Sequence, residues 1–321
     1  MPPITYFPSN PLKRIHFDKL KFRINEFLDF ESLGESTIEK YKIDTKELDE
    51  YWYSINDKGE IEQKKNFYKY RIRYYDKYDN KINIMTRQWD NLWNHCGSIT
   101  TTGKDDFERI RGLETSLWDI FGIPMNYLRP IEIEIAFDYH YDESYEELEL
   151  WFKKHIHSPL RKFWWRFNSK KKDGTYTDYI GTNRSNGAIK MYNRASKDDP
   201  NTFRLEVTFR KKRLADLKIK HPEEIFKVDW TDKVFELMRI VDVDWSRFAK
   251  KDRNRLQIVY SRCDLAALKD KVKAEKINRS NYYKPNKYRY ELKKSLIEWN
   301  RTLQEYESPM VEDWAYLLDD F

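Results

Sequence analysis

Three side chains able to act on a phosphate, Lys190, Tyr192 and Arg194, take alternate positions in the run Gly187-Ala188-Ile189-Lys190-Met191-Tyr192-Asn193-Arg194. Alternate residues of a β-strand share a face, so this run sets a phenol between two cations and turns Ile189 and Met191 the other way. The chemistry suggested is nucleophilic: a tyrosine oxygen can attack a phosphodiester and hold the strand as an ester while cations stabilise the charge that develops. With 23 tyrosines in 321 residues, a strand tyrosine on its own more often serves packing, and the neighbouring segments decide the reading.

Two of them supply charged partners. Ile131-Glu132-Ile133-Glu134-Ile135-Ala136-Phe137-Asp138-Tyr139 is apolar at every odd position and carries Glu132, Glu134 and Asp138 at even ones. Carboxylates gathered on one face repel unless bases across the sheet or a divalent metal offset them. At ~3.3 Å per residue Glu134 and Asp138 stand roughly 13 Å apart on a straight strand, so one ion takes one of them with an acid from another strand. Thr202 to Arg210 alternates Phe203, Leu205, Val207 and Phe209 with Arg204, Glu206, Thr208 and Arg210. Packed as one antiparallel sheet, the strands converge the carboxylates of Glu134, Asp138 and Glu206, the Tyr192 phenol, and the cations Lys190, Arg194 and Arg204. A further motif, His155-Ile156-His157, has the His-hydrophobe-His form of the HUH nucleases. It falls in a helical stretch from Asp142 to Phe167, where the two rings diverge by about 200°, so they read as polar residues near a helix end and not as metal ligands.

The elements that must position these residues imply an α+β fold, with central antiparallel β-sheets flanked by helices and a helical, basic C-terminal part. Strands are expected over Arg14 to Phe22, Tyr51 to Tyr53, Asn66 to Tyr75 and Ile82 to Met85. Tyr176 to Gly181 and Gly187 to Arg194 read as a hairpin. Gly103 to Phe121 has apolar residues at helical spacing, with Asp105 and Asp106 near its start. The chain beyond Arg210 reads as helical, anchored by Trp230, Trp245, Trp299 and Trp314. Charged residues make up 36% and aromatics 16% with only 9 glycines, which excludes a disordered or fibrous chain. Cys96 and Cys263 are too few and too far apart for a disulfide framework or zinc cluster. The first residues lack a secretory pattern, and no run reaches the ~20 apolar residues of a membrane span, so a soluble, cytoplasmic protein is expected.

Charge is distributed unevenly. Of the net +6, residues 246–301 hold 17 Lys and Arg against 6 Asp and Glu, and the last 20 residues hold six acids and no base. That is the footprint of a polyanion-binding element followed by an acidic tail. The chain therefore divides into an α+β domain over 1–245 that carries the tyrosine strand and its charged partners, and a helical, basic, DNA-binding C-terminal segment with an acidic tail over 246–321. Arg253, Arg255, Lys269, Lys273, Lys276, Arg279, Lys284 and Arg289 are the residues expected to touch duplex DNA.

Read in order, the strand Ile131 to Asp138, Tyr179-Ile180-Gly181, Ile189 to Arg194, Phe203-Arg204-Leu205-Glu206-Val207 and Asp229-Trp230-Thr231 resemble the Rep-trans family, the initiators of rolling-circle plasmid replication. His16-Phe17-Asp18 and the helix from Gly103 join the match, which covers most of the chain. The resemblance implies a homodimer that binds the double-strand origin and nicks one strand. Tyr192 would become linked to the new 5′ end, and host helicase and replication machinery would be recruited. It implies Mg²⁺ or Mn²⁺ held by Glu134, Asp138 and Glu206. Two departures stand out: Glu134 where the family often has Asp, and Thr208 where it tends to have a second acid. Related relaxases of mobile elements usually carry an added N-terminal helix-turn-helix domain, which is not read here. A DNA-binding protein without chemistry is the alternative from another class.

Overall fold

The computed structural model describes residues 12–24, 26, 28–55, 61–88, 97–103, 105–141, 144–160, 165–168, 176–181, 185–194, 201–210, 212–262, 265–275 and 282–305. In chain order its elements are β1 (Leu12–Ile24), α1 (Glu35–Tyr41), β2 (Asp44–Glu47), β3 (Tyr51–Ile55), β4 (Ile61–Lys65), β5 (Tyr68–Tyr75), β6 (Lys81–Gln88), β7 (Gly97–Thr102), α2 (Asp106–Phe121) and β8 (Leu128–His140). Then follow α3 (Tyr145–His155), β9 (Ile156–His157), β10 (Trp165–Asn168), β11 (Tyr176–Gly181), β12 (Gly187–Asn193), β13 (Thr202–Arg210), α4 (Lys212–Asp216), α5 (Trp230–Leu237), β14 (Arg239–Val243), α6 (Lys250–Arg262), α7 (Leu265–Ala274), β15 (Tyr283–Pro285) and α8 (Lys287–Gln304). This is an α+β fold with a large antiparallel sheet flanked by helices. Among the described residues no helix is long and apolar enough to cross a membrane.

The chain forms two compact units, one of 1–16, 134–210 and 229–302 and the other of 17–133, 211–228 and 303–321. In the second unit strand order runs β1-β7-β6-β5-β2. Phe17, Leu20, Phe22, Ile72, Ile82, Ile84 and Ile99 are wholly buried there, with Leu113 and Leu117 of α2. Asp105 starts α2 by accepting from the backbone N–H of Phe107 and Glu108, both at 2.9 Å, which is why the helix begins at Asp106 and not at Gly103. Gly122 ends it in the left-handed region at φ 66°.

The first unit holds the strand order β10-β11-β12-β13-β8. Its apolar layer stacks Phe152 of α3 on Phe203 of β13 at 5.7 Å, with Tyr139 of β8 at 5.0 Å from Phe152. The Asp229-Trp230-Thr231 stretch is structural. Asp229 caps α5 through the Thr231 N–H at 2.9 Å, and Asn300 of α8 bonds the Trp230 N–H, Asp229 and Thr231. Trp230 is fully buried against Phe209, 5.2 Å away.

Three expectations need correction or limits. The helix expected from Asp142 to Phe167 ends at His155, and Ile156 and His157 pair as β9 with Ile240 and Arg239 of β14. The chain beyond Arg210 is not wholly helical: Arg239–Val243, with the β-branched residues Ile240, Val241 and Val243, forms β14, which pairs with β15. Trp245 is partly buried against a small core of Val243, Phe248, Leu256 and Leu268, whereas Trp314 lies outside the described residues.

Candidate active site

Register assembles the site. In the β12–β13 pair Lys190 stands opposite Glu206 and Tyr192 opposite Arg204, while Ile189 and Met191 face the buried apolar side opposite Val207 and Leu205. Directly opposed residues have their Cβ atoms about 4.5–5.5 Å apart, so the face carrying Lys190, Tyr192, Arg204 and Glu206 is one contiguous polar surface. Burial makes that surface unusual: Arg204 and Glu206 are 1% exposed, Glu134 of β8 is 3% and Thr208 is wholly buried. Charges this deep persist only when paired and hydrogen-bonded.

They fall into two groups. In the first, the Lys190 ammonium bridges two carboxylates, 2.9 Å from Glu134 Oε1 and 2.5 Å from Glu206 Oε2. The Tyr192 hydroxyl donates to the other oxygen of Glu206, and Thr208 Oγ1 donates to Glu134 at 3.4 Å. Burial works against the charge of Lys190, but Glu206 and Glu134 outweigh it and hold its pKa well above the usual lysine value. The nucleophile candidate thus rests on a carboxylate able to take its proton, and Tyr192 itself is only half-buried.

The second group surrounds Asp138. Arg204 grips it with a fork, Nε to Oδ1 at 2.5 Å and Nη2 to Oδ2 at 2.7 Å. Arg14 reaches the same carboxylate at 3.4 Å and Arg194 at 3.6 Å. His16, buried, turns Nε2 to Arg14 and Arg204 at 3.4 and 3.3 Å, with Nδ1 3.9 Å from Asp138. Guanidiniums only donate, so Nε2 is the acceptor toward both.

The structure therefore brings Glu134 and Glu206 together and sets Asp138 in a separate cluster. The candidate Arg204 is enclosed against Asp138, while Arg194 is about half exposed. A hard divalent ion suits oxygen donors such as Glu134 and Glu206, whose ligand oxygens come within 4.8 Å of one another, provided that the Lys190 ammonium between them withdraws. From sequence His16 entered only as part of the motif His16-Phe17-Asp18, and neither it nor Arg14 was named as a site residue. Their alternation along β1, shared with Asp18, was the available signal.

His155 and His157 stand apart from this site. His155 stacks on Trp151 at 4.2 Å, bonds the Trp151 carbonyl through Nδ1 at 2.7 Å and meets Asp242 through Nε2 at 3.4 Å. Burial, then Lys269 and Arg239, pushes His157 down to about 4. Of the residues expected to touch duplex DNA, Arg255 is paired with Asp252 at 3.3 Å and with Glu275, and Arg253 bonds the Phe248 carbonyl at 3.2 Å. Lys269 lies over the Tyr283 ring and Arg289 over Phe235. Lys273 and Lys284 are exposed, and Lys276 and Arg279 lie outside the described residues.

No protein-family model matches the chain, and no curated protein matches it. Among solved structures, a rolling circle replication initiator protein from Geobacillus stearothermophilus is similar over 84% of this chain and 98% of that one, at 14% identity and a TM-score of 0.35.

Proposed function

We propose that this protein initiates rolling-circle plasmid replication by nicking one strand of origin DNA with Tyr192. The observation that carries the reading is the Tyr192 hydroxyl seated on Glu206, with Lys190 holding that carboxylate from its other side. The ordered resemblance to Rep-trans initiators supports it. In the step proposed, the phenolic oxygen attacks phosphorus and passes its proton to Glu206. The bond from phosphorus to the 3′ oxygen breaks, that oxygen takes a proton from water, and the 5′ phosphate stays on Tyr192 as an ester. Because a phosphodiester is exchanged for another, the reverse attack by a 3′ hydroxyl reseals the strand. Glu134 and Glu206 are the residues that would hold Mg²⁺ or Mn²⁺, which when bound polarises a non-bridging phosphate oxygen. Exposed bases of residues 246–301 would grip the origin duplex, with a homodimer and host helicase as partners.

The test is incubation with supercoiled DNA bearing the protein's own origin and Mg²⁺ or Mn²⁺, followed by denaturing gels for a covalent adduct. Wild type should yield nicked circles with protein on the 5′ end, and Tyr192→Phe should bind the DNA without forming the adduct. An adduct that persists in Tyr192→Phe moves the nucleophile elsewhere; binding with no nicking in wild type favours the non-catalytic alternative.

A further inference from the structure

We propose that Arg14, His16 and Arg194, organised around Asp138, form a seat for a backbone phosphate of single-stranded DNA lying beside Tyr192; this deepens the nicking reading and rests on it. Asp138 then acts as the anchor of the seat and not as a metal ligand. A buried carboxylate needs both of its oxygens satisfied, and one guanidinium is enough. Arg204, 1% exposed and forked onto Oδ1 and Oδ2, meets that need completely. Arg14 and Arg194 nonetheless converge on Oδ2 at 3.4 and 3.6 Å, with side chains 43% and 47% exposed. Three guanidiniums on one carboxylate repel each other. Each carries five N–H donors, so the two at the solvent side can hold a second anion while leaning on Asp138.

Geometry identifies the anion. Arg194 follows Tyr192 by two residues, just past the end of β12, with its N–H still bonded to the Thr202 carbonyl, and Arg204 stands directly across from Tyr192. Because Arg204 also holds Asp138, an anion bridging Arg14 and Arg194 lies next to the strand pair that carries the phenol. A phosphodiester with two non-bridging oxygens fits two forks, whereas a carboxylate ligand has no reason to lie next to that tyrosine. His16 completes the frame, its Nε2 lying between Arg14 and Arg204 at 3.4 and 3.3 Å.

The test uses binding of fluorescent oligothymidylate, about a dozen nucleotides long, to full-length Tyr192→Phe protein, followed by anisotropy across a salt series. Each phosphate neutralised on a single strand contributes a slope of about −0.7 in log K against log salt. Adding Arg14→Gln or Arg194→Gln should weaken binding several-fold and reduce the slope by about 0.7 for each phosphate released, and Arg14→Lys should restore the slope by restoring the charge. Both arginines are half exposed, so these variants should fold, which far-ultraviolet dichroism checks. Unchanged affinity and slope in the Arg14→Gln, Arg194→Gln double variant overturns the seat. Failure of the nicking reading is separately visible as absence of the adduct in protein that retains Tyr192.

Discussion

Lys190→Met should destabilise the protein in a way that exposes what the ammonium does. Lys190 stands between Glu134 and Glu206, whose side chains are 4% and 1% exposed, at 2.9 and 2.5 Å. Removing one partner of a buried ion pair costs about 3–5 kcal/mol, because the charge left behind has neither water nor counter-ion. For a folding unit of this size each kcal/mol shifts Tm by about 2–4 °C, so a drop of roughly 6–20 °C is expected near neutral pH. The sign with pH is also determined. In wild type the Lys190 pKa is raised, so its stabilisation is complete below the ordinary value of about 10.4 and is lost only as pH climbs through the raised value. Millimolar Mn²⁺ should also raise Tm more in the variant than in wild type, since a cation that binds only the folded state stabilises it by mass action. Thermal melts across this pH range, with and without Mn²⁺, measure both effects. A Tm equal to wild type at every pH would refute the bridging role of Lys190.

Glu206→Gln keeps the shape at Tyr192 but removes the proton acceptor and one metal-binding charge, so adduct formation should fall by at least about 100-fold, the scale of general-base assistance, with partial rescue by excess Mn²⁺. Nicking by wild type that resists EDTA would remove the metal from the proposal. Neutralising Lys273 and Lys284, which are exposed, should shrink the salt slope of duplex binding by up to about 0.9 for each phosphate no longer neutralised, whereas Arg255→Gln, already paired with Asp252 and Glu275, should change it little. His157, held at about 4, should remain neutral in an NMR titration down to about pH 5. Because its folded pKa is below the unfolded value, its contribution is present above about pH 6.5 and lost as pH falls towards 4; a ring titrating near 6.5 would contradict the burial seen at β9.

Period-two alternation was enough to identify the strands that matter. Lys190 and Tyr192 share a face, as do Arg204, Glu206 and Thr208, because a strand leaves no other choice once its odd positions are apolar. Sequence also carried the fold class and the amphipathic helix α2. It could not say that β9 would interrupt the helical stretch at His155, since a two-residue strand is set by its partner β14 and not by local preference. Nor could it divide the acids. Glu134 and Asp138 look equivalent along β8, and only cross-strand register gives the first to Lys190 and the second to Arg204, Arg14 and Arg194. Alternation is a property of one strand read alone, whereas which charge meets which depends on neighbours far away in the chain, and that pairing was decided by tertiary structure.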